Sequence, residues 1–390
     1  MNYLINRKAE EKLRKYLQIF PAVAVLGSRQ CGKSTMIKMF AERQGPLLYV
    51  DLQNRADRQK LDNPSLFFRY NESATVCLDE VQLLPELFND LRTEIDRERR
   101  PGRFVLLGSA SRELLQHTSE SLAGRIGLID LTPFLISEVA DQEEYSIFKY
   151  WFRGGYPDSF LALSDEASAI WRENFIRTYL ERDIPQLGFH IAAPMMMRLL
   201  SMLAYEHGGI LNLAKLASAM GLSAPTIRHY IDIMEQTYIV RTLPPYFSNK
   251  GKRLVKTPRV YLRDSGLQHQ LLDIADFNAL FSHSIYGRSW EGLVVENVCS
   301  SVQKASFSFY RTSDGSEEMD LLVEFPDRRV AIECKASNDP QPTEGFWKAL
   351  KTLQPSQAYI VTPSDENYPL RENVEVVGLP KLLGRLGFGE

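Results

Sequence analysis

Short apolar runs alternate with amphipathic stretches along most of this chain, and that rhythm predicts its elements. Charged and apolar residues at helical spacing from about Leu4 to Phe20 predict a helix. The run Ala22-Val23-Ala24-Val25-Leu26 then has the pattern of a buried strand, and Thr35 to Gln44 returns to helical spacing. Leu47-Leu48-Tyr49-Val50-Asp51 repeats the strand pattern, as do the stretches from Ala74 to Glu80 and from Phe104 to Leu107. Asn63-Pro64 breaks the second interval before another short helix. From about Ser137 to Pro194 the pattern is helical, punctuated by Gly154-Gly155 and Pro157. Two helices follow, Asn212 to Met220 and Ala224 to Gln236, joined by Gly221-Leu222-Ser223. Strands are predicted at Tyr238-Ile239-Val240-Arg241 and Arg259-Val260-Tyr261-Leu262. The last hundred residues begin with a helix from Trp290 to Gln303. Strands follow at 307–310, 319–324, 330–335 and 357–362.

Length and composition narrow the class. A chain of 390 residues should hold two or three domains, and 44% hydrophobic with 24% charged residues suits a globular protein with sizeable cores. No run is long enough to span a bilayer and the N-terminus lacks an apolar signal core, so a cytoplasmic protein with no membrane partner is expected. Cys31, Cys77, Cys299 and Cys334 lie far apart, which is neither a disulfide framework nor a zinc spacing. The six histidines are scattered, and none is assigned as a ligand. A net charge of −3 carries no global nucleic-acid signal, so any DNA surface must be a local patch.

Chemistry enters at Gly27-Ser28-Arg29-Gln30-Cys31-Gly32-Lys33-Ser34, which fits G-x-x-x-x-G-K-[ST] at every fixed position. A strand delivers the chain to this glycine-bearing turn and a helix leaves it, so backbone N–H groups from Gly27 to Thr35 can wrap the polyphosphate of ATP. Lys33 would reach the β- and γ-phosphates, and the Ser34 hydroxyl would ligate Mg²⁺. The strand ending in Asp79-Glu80 supplies two acids. Asp79 is expected on the Mg²⁺ hydration shell and Glu80 on the attacking water, the bland alternative being a solvated turn. Ser109, in Gly108-Ser109-Ala110-Ser111, is the better placed hydroxyl for sensing the γ-phosphate. Arg125 is either an arginine finger donated to a neighbouring subunit or a structural, solvent-facing arginine.

The Asp79-Glu80-Val81-Gln82 run, Gly108-Ser109-Ala110, Leu122-Ala123-Gly124-Arg125 and Phe152-Arg153-Gly154-Gly155-Tyr156-Pro157 resemble a widespread group of prokaryotic AAA+ ATPases. In that group the ATPase core precedes a C-terminal domain long labelled as of unknown function. The stretches from Thr178 to Ile184 and from Lys252 to Tyr261 also match its habits. Ser28 stands where the family often has proline, and Cys31 where it often has valine or isoleucine; neither change removes a phosphate-binding group. The resemblance implies an α/β AAA+ P-loop core over residues 1–136 and a helical lid over 137–195, with Arg182 either a second sensor or a salt-bridge residue of the lid. A finger working in trans would imply a homo-oligomer, for which a ring is one form.

The helix, Gly-containing turn and helix around Gly221 form a helix-turn-helix arrangement whose second helix carries Thr226, Arg228 and His229. Lys250, Lys252, Arg253 and Lys256 crowd the loop between the next two strands, so residues 196–285 read as a winged helix with a basic wing for phosphates. Winged helices also serve as protein–protein modules. In residues 286–390, Glu333 and Lys335 are two apart and share one strand face, where Asp320 on the partner strand can meet them. Two carboxylates and a lysine there would bind a divalent metal and steady a water. The constellation is similar to the PD-(D/E)XK nuclease fold, with Glu296 as a further ligand and Met319 in place of the proline.

The whole predicts an ATP- and Mg²⁺-dependent protein that binds DNA and remodels, translocates or processes it, branched DNA included, with metal-dependent cutting as a second activity. The alternative is a regulatory or defence switch that holds a protein partner through its winged helix and C-terminal domain.

Overall fold

A computed structural model describes residues 5–45, 47–109, 122–143, 145–247 and 254–387. Ala110 and Ser111 lie outside the described residues, as do Lys250, Lys252 and Arg253. The described chain folds as two compact units. One runs to Phe134 and includes Gln236–Tyr238; the other holds Leu135–Glu235 and the residues from Ile239 onward.

The first unit is built on five strands: β1 (Ala22–Gly27), β2 (Leu47–Asp51), β3 (Thr75–Asp79), β4 (Phe104–Ser109) and β5 (Ile126–Asp130), in the order β2-β3-β4-β1-β5. All four pairings are parallel. Every residue of β1 is buried, because helices cover both faces of a parallel sheet and its strands must be apolar throughout. Alternation then sorts the side chains. Ala22, Ala24 and Leu26 pack with Leu91 and Ile95 of the helix Leu87–Arg97. Val23 and Val25 pack with Met36, Ile37 and Phe40 of the helix Lys33–Gln44. The register sets Gly27 beside Ser109 and Asp51 beside Asp79, so the chemistry-bearing strand ends share one edge.

In the second unit the stretch expected to be helical resolves into Ile147–Arg153, Pro157–Phe160 and Asp165–Thr178, the last running into a π-helical turn at Tyr179–Asp183. Gly154, at φ 77°, makes the joint after the first of these. A Cβ there would lie 2.2 Å from an oxygen of Asp264, whose carboxylate accepts the Gly155 N–H at 2.8 Å. Arg153 donates to Asp165 at 2.6 Å and Arg172 to the Phe152 carbonyl at 2.9 Å. The glycine-rich run is thus a packed structural joint.

The helix Leu213–Met220 is capped by Asn212 and stopped by Gly221 at φ 67°; the Ser223 hydroxyl then accepts the Thr226 N–H at the start of Ala224–Gln236. The strands β6 (Val240–Leu243) and β7 (Arg259–Leu262) pair antiparallel. Residues 208–211 add a further rung on β7 through Gly208 N–H to Val260 O at 2.8 Å and Leu211 N–H to Pro258 O at 2.9 Å. Six strands form the C-terminal sheet: β8 (Ser306–Arg311), β9 (Glu318–Glu324), β10 (Arg329–Cys334), β11 (Gln357–Thr362), β12 (Tyr368–Arg371) and β13 (Val374–Gly378), ordered β12-β13-β11-β10-β9-β8. The described ends of the β6–β7 connection lie along β8, where Tyr246 N–H donates to Phe309 O at 2.6 Å and Val255 N–H to Arg311 O at 3.1 Å. The long helix Tyr286–Ser301 is fixed to the sheet by Trp290, fully buried, whose indole N–H meets Val361 O at 2.9 Å.

Candidate functional site

The P-loop leaves β1 through two left-handed residues, Gln30 at φ 60° and Gly32 at φ 98°. Successive changes of backbone hand turn N–H groups inward and make a concavity for anions. Gly27 admits no side chain, since a Cβ would stand 2.1 Å from Leu131 O. Arg7 braces the loop by donating to Cys31 O at 2.8 Å and Thr132 O at 2.6 Å. The Lys33 ammonium donates to Gly27 O and Ser28 O, each at 2.9 Å. The buried Ser28 hydroxyl has no hydrogen-bond partner among the described residues. A lysine held over the loop and an orphaned hydroxyl inside it fit a polyphosphate that would take both as donors.

At the same sheet edge the Ser34 hydroxyl donates to Asp79 Oδ2 at 2.7 Å. Tyr49 on β2 donates to that same oxygen, and the Glu80 N–H binds Asp79 Oδ1 at 2.9 Å. Burial and the neighbouring Asp79 carboxylate push the Tyr49 phenol well above its ordinary range, so it acts here as a donor. Ser34 and Asp79 together are the oxygen donors Mg²⁺ takes beside a nucleotide, and the ion would supply neutralisation of phosphate charge. Glu80 adopts φ 56° at the head of a 3₁₀ turn, Val81–Leu83. Its carboxylate accepts from the Gln82 amide, which also donates to Ser109 Oγ at 2.8 Å. The acid and the hydroxyl singled out in the sequence are thereby joined. Gln82 was visible there only as part of a family run, because its role depends on the left-handed turn at Glu80.

Arg125 stands elsewhere. It precedes β5, whose first residue is level with Ala22, about 17 Å along the sheet from the P-loop edge at roughly 3.3 Å per residue. It pairs with Asp96 at 2.6 Å. Arg182 is exposed in the second unit.

The C-terminal acids are brought together, but with a different helix residue and with a cation of the chain's own. Glu333 pairs with Lys335 at 2.9 Å, and Asp320 Oδ2 accepts the Cys334 N–H at 3.0 Å. The helix contributes Glu291. Arg259 of β7, only 4% exposed, donates to Glu291 at 2.8 Å and Asp320 at 3.3 Å, and also to Glu318; its guanidinium lies 4.9 Å above the Phe309 ring. Tyr261 donates to Glu291 at 2.7 Å. Burial, reinforced by Asp320, raises Glu291 to about 7 and Glu333 to about 8.

Glu296, expected among the metal ligands, is corrected to an internal partner of arginines. Arg241 reaches it at 2.8 Å, Arg263 at 2.7 Å and Ser300 at 2.7 Å. Burial opposes its ionisation, yet the two guanidiniums outweigh that and hold it at about 2. Among the described residues no group of three or more His, Cys, Asp or Glu side chains is arranged to hold a metal ion. Of the two carboxylates expected to share a divalent cation, Asp320 has Arg259 and Glu333 has Lys335 as its counter-charge.

Of the expected DNA contacts, Thr226 shares the Ser223 cap at 2.7 Å, Oγ to Oγ. Arg228 pairs with Asp232 at 2.8 Å and Glu235 at 3.4 Å. His229 and Lys256 are exposed.

Comparison with known protein families matches the chain in three stretches. Residues 20–140 match a family described as an AAA domain, and with the P-loop this makes the first unit a P-loop ATPase domain of AAA type. Residues 144–278 and 286–382 match two families described as domains of unknown function (DUF8612 and DUF4143). Over 377 residues, 97% of this chain and 84% of the relative, the sequence is 37% identical to Uncharacterized protein Rv2008c of Mycobacterium tuberculosis, and equally to Uncharacterized protein Mb2031c of Mycobacterium bovis. The chain belongs to the family of these mycobacterial proteins. A Walker-type ATPase of Pyrococcus abyssi is similar in structure at TM-score 0.49 and 15% identity, over 69% of this chain and 96% of that one. Among the described residues no helix is long and apolar enough to cross a membrane.

Proposed function

We propose that the chain hydrolyses ATP at its P-loop and couples turnover to DNA held, without being cut, by its second unit. The observation that carries the hydrolytic reading is the gathering of Lys33, Ser34, Asp79, Glu80 and Ser109 at one sheet edge. Lys33 and the loop N–H groups orient the triphosphate. A water oxygen bonds to the γ-phosphorus as the bond to the β–γ bridging oxygen breaks, and Glu80 accepts the water's proton. Arg125, remote from the P-loop edge of its own sheet and paired with Asp96, would have to leave that pair to act across an interface in a homo-oligomer. Support for DNA comes from the helix pair ending in Ala224–Gln236, read as a winged helix with β6 and β7, and from basic residues in the loop that follows. Support for binding without cutting comes from the cations already on the expected metal ligands, Arg259 on Asp320 and Lys335 on Glu333.

A second reading, an ATP-dependent switch that holds a protein partner, is favoured by Arg228, whose charge is already spent on Asp232 and Glu235. One assay separates the two: ATP turnover in Mg²⁺ with no DNA, duplex, single-stranded or branched DNA, each labelled so that cuts are seen. Stimulation by one DNA form without cleavage is the expected result. Turnover indifferent to every DNA would overturn the DNA reading in favour of the switch, and DNA cut by the wild type but not by Asp320→Ala would overturn binding without cutting.

A further inference from the structure

Among the described residues Gln82 is the one polar side chain that touches both hydrolytic groups, and hydrogen-bond bookkeeping assigns direction to the network. A carboxylate only accepts, so the Gln82 NH₂ must face Glu80. The same NH₂ group lies 2.8 Å from Ser109 Oγ, which must therefore accept as well. With its oxygen used as an acceptor, the Ser109 hydroxyl has its own hydrogen left to give, and the γ-phosphate or the attacking water can take it. Glu80, accepting from Gln82 on Oε2, keeps Oε1 for the water's proton. The Gln82 carbonyl oxygen is buried and has no hydrogen-bond partner among the described residues. A buried acceptor without a donor is costly, and a water arriving beside Glu80 would satisfy it. The backbone supports the arrangement: the left-handed Glu80 starts the 3₁₀ turn that carries Gln82 two residues on.

We propose that Gln82 is a positioning residue of the hydrolytic site, setting Glu80 as proton acceptor and Ser109 as proton donor. The proposal rests on the reading that this site hydrolyses ATP. The test uses the full chain and compares wild type with Gln82→Met, which keeps length without donors, Ser109→Ala, and the double variant. Steady-state kcat and KM, and affinity for a non-hydrolysable ATP analogue, are measured for each.

Gln82→Met should lower kcat about 10²-fold, the scale of misplaced acid–base groups, with analogue affinity within threefold. The double variant should be little worse than the worse single one, since the two residues act as a unit. Turnover in Gln82→Met within threefold of wild type would overturn the proposal, as would a loss of turnover matched by lost analogue binding. Wild type that binds the analogue but never turns over ATP would overturn the hydrolytic reading itself, and this inference with it.

Discussion

Replacing Arg259 with Met should unfold the second unit far more readily, and the size follows from its surroundings. Methionine keeps an aliphatic stem but removes the guanidinium that lies over Phe309 and is shared by Glu291, Asp320 and Glu318. Glu291 and Asp320 expose only 13% and 14% of their side chains, so each would be left buried and facing the other unpaired. Breaking such a pair from one side costs about 3–5 kcal/mol. Glu318, one-third exposed, adds little because water screens it. Glu291 can relieve part of the cost by taking up a proton, since burial has already raised it to about 7. The net loss should be about 3 kcal/mol at neutral pH. Urea unfolding followed by tryptophan fluorescence measures it directly, because all four tryptophans, Trp151, Trp171, Trp290 and Trp347, belong to the second unit. Adding Glu291→Gln and Asp320→Asn to Arg259→Met should restore most of the loss by removing the orphaned charges. A single variant within about 0.5 kcal/mol of wild type, the scatter of ordinary surface changes, would refute the assignment of Arg259 as the cation of this centre.

Three further outcomes are expected. Glu80→Gln should lower ATP turnover by about 10²–10⁴-fold while leaving analogue binding near wild type, which separates proton acceptance from nucleotide binding. Gly154→Ala should destabilise the second unit by more than about 2 kcal/mol in the same urea assay, because the new Cβ meets the Asp264 carboxylate and φ is positive. The last concerns acid. Burial holds His207 and His269 down to about 3, so the stability they give is present above their ordinary range near 6.5 and is lost as pH falls through it. Glu291 and Glu333, raised by burial, run the other way and lose stability as pH rises from about 4.5 to their values near 7 and 8. The opposing pairs should cancel between about pH 4.5 and 6.5. Below that, Glu296 joins the histidines, each contributing about 1.4 kcal/mol per pH unit, and fluorescence-detected stability should fall steeply. A smooth decline across pH 4.5–6.5 would show the balance to be wrong.

The nucleotide edge was legible because its parts are local. A strand, a glycine turn and a helix carry Lys33 and Ser34, while Asp79 and Ser109 each close an apolar run whose parallel register brings them to that turn. The C-terminal centre was legible in its hairpin, where alternation alone pairs Asp320 with the Glu333–Lys335 face. Its helix residue was not. Glu291 and Glu296 lie about 140° apart around one helix, and that helix is buried on nearly every side, so it has no polar face to choose by. Arg259 was beyond reach for another reason. It sits 61 positions from Asp320 and read as the start of a wing strand, and only the docking of that strand against the C-terminal sheet turns it into a counter-charge. The basic residues of the loop before it drew attention as a phosphate surface, whereas those with described internal partners, Arg228, Arg241, Arg259 and Arg263, neutralise carboxylates of the protein itself.

The backbone contacts of Tyr246 and Val255 with β8 have a bearing on how copies of the chain can meet. An outer strand with free N–H and C=O groups invites a neighbour to extend the sheet, and such growth has no natural end. Here β8 gives its outward carbonyls at Phe309 and Arg311 to the chain's own connection. The opposite margin, β12, is four residues long, carries Pro369 and breaks register beside it. Proline withholds a donor and a slipped register spoils a template. With one margin occupied and the other blunted, open-ended growth of this sheet from copy to copy is suppressed.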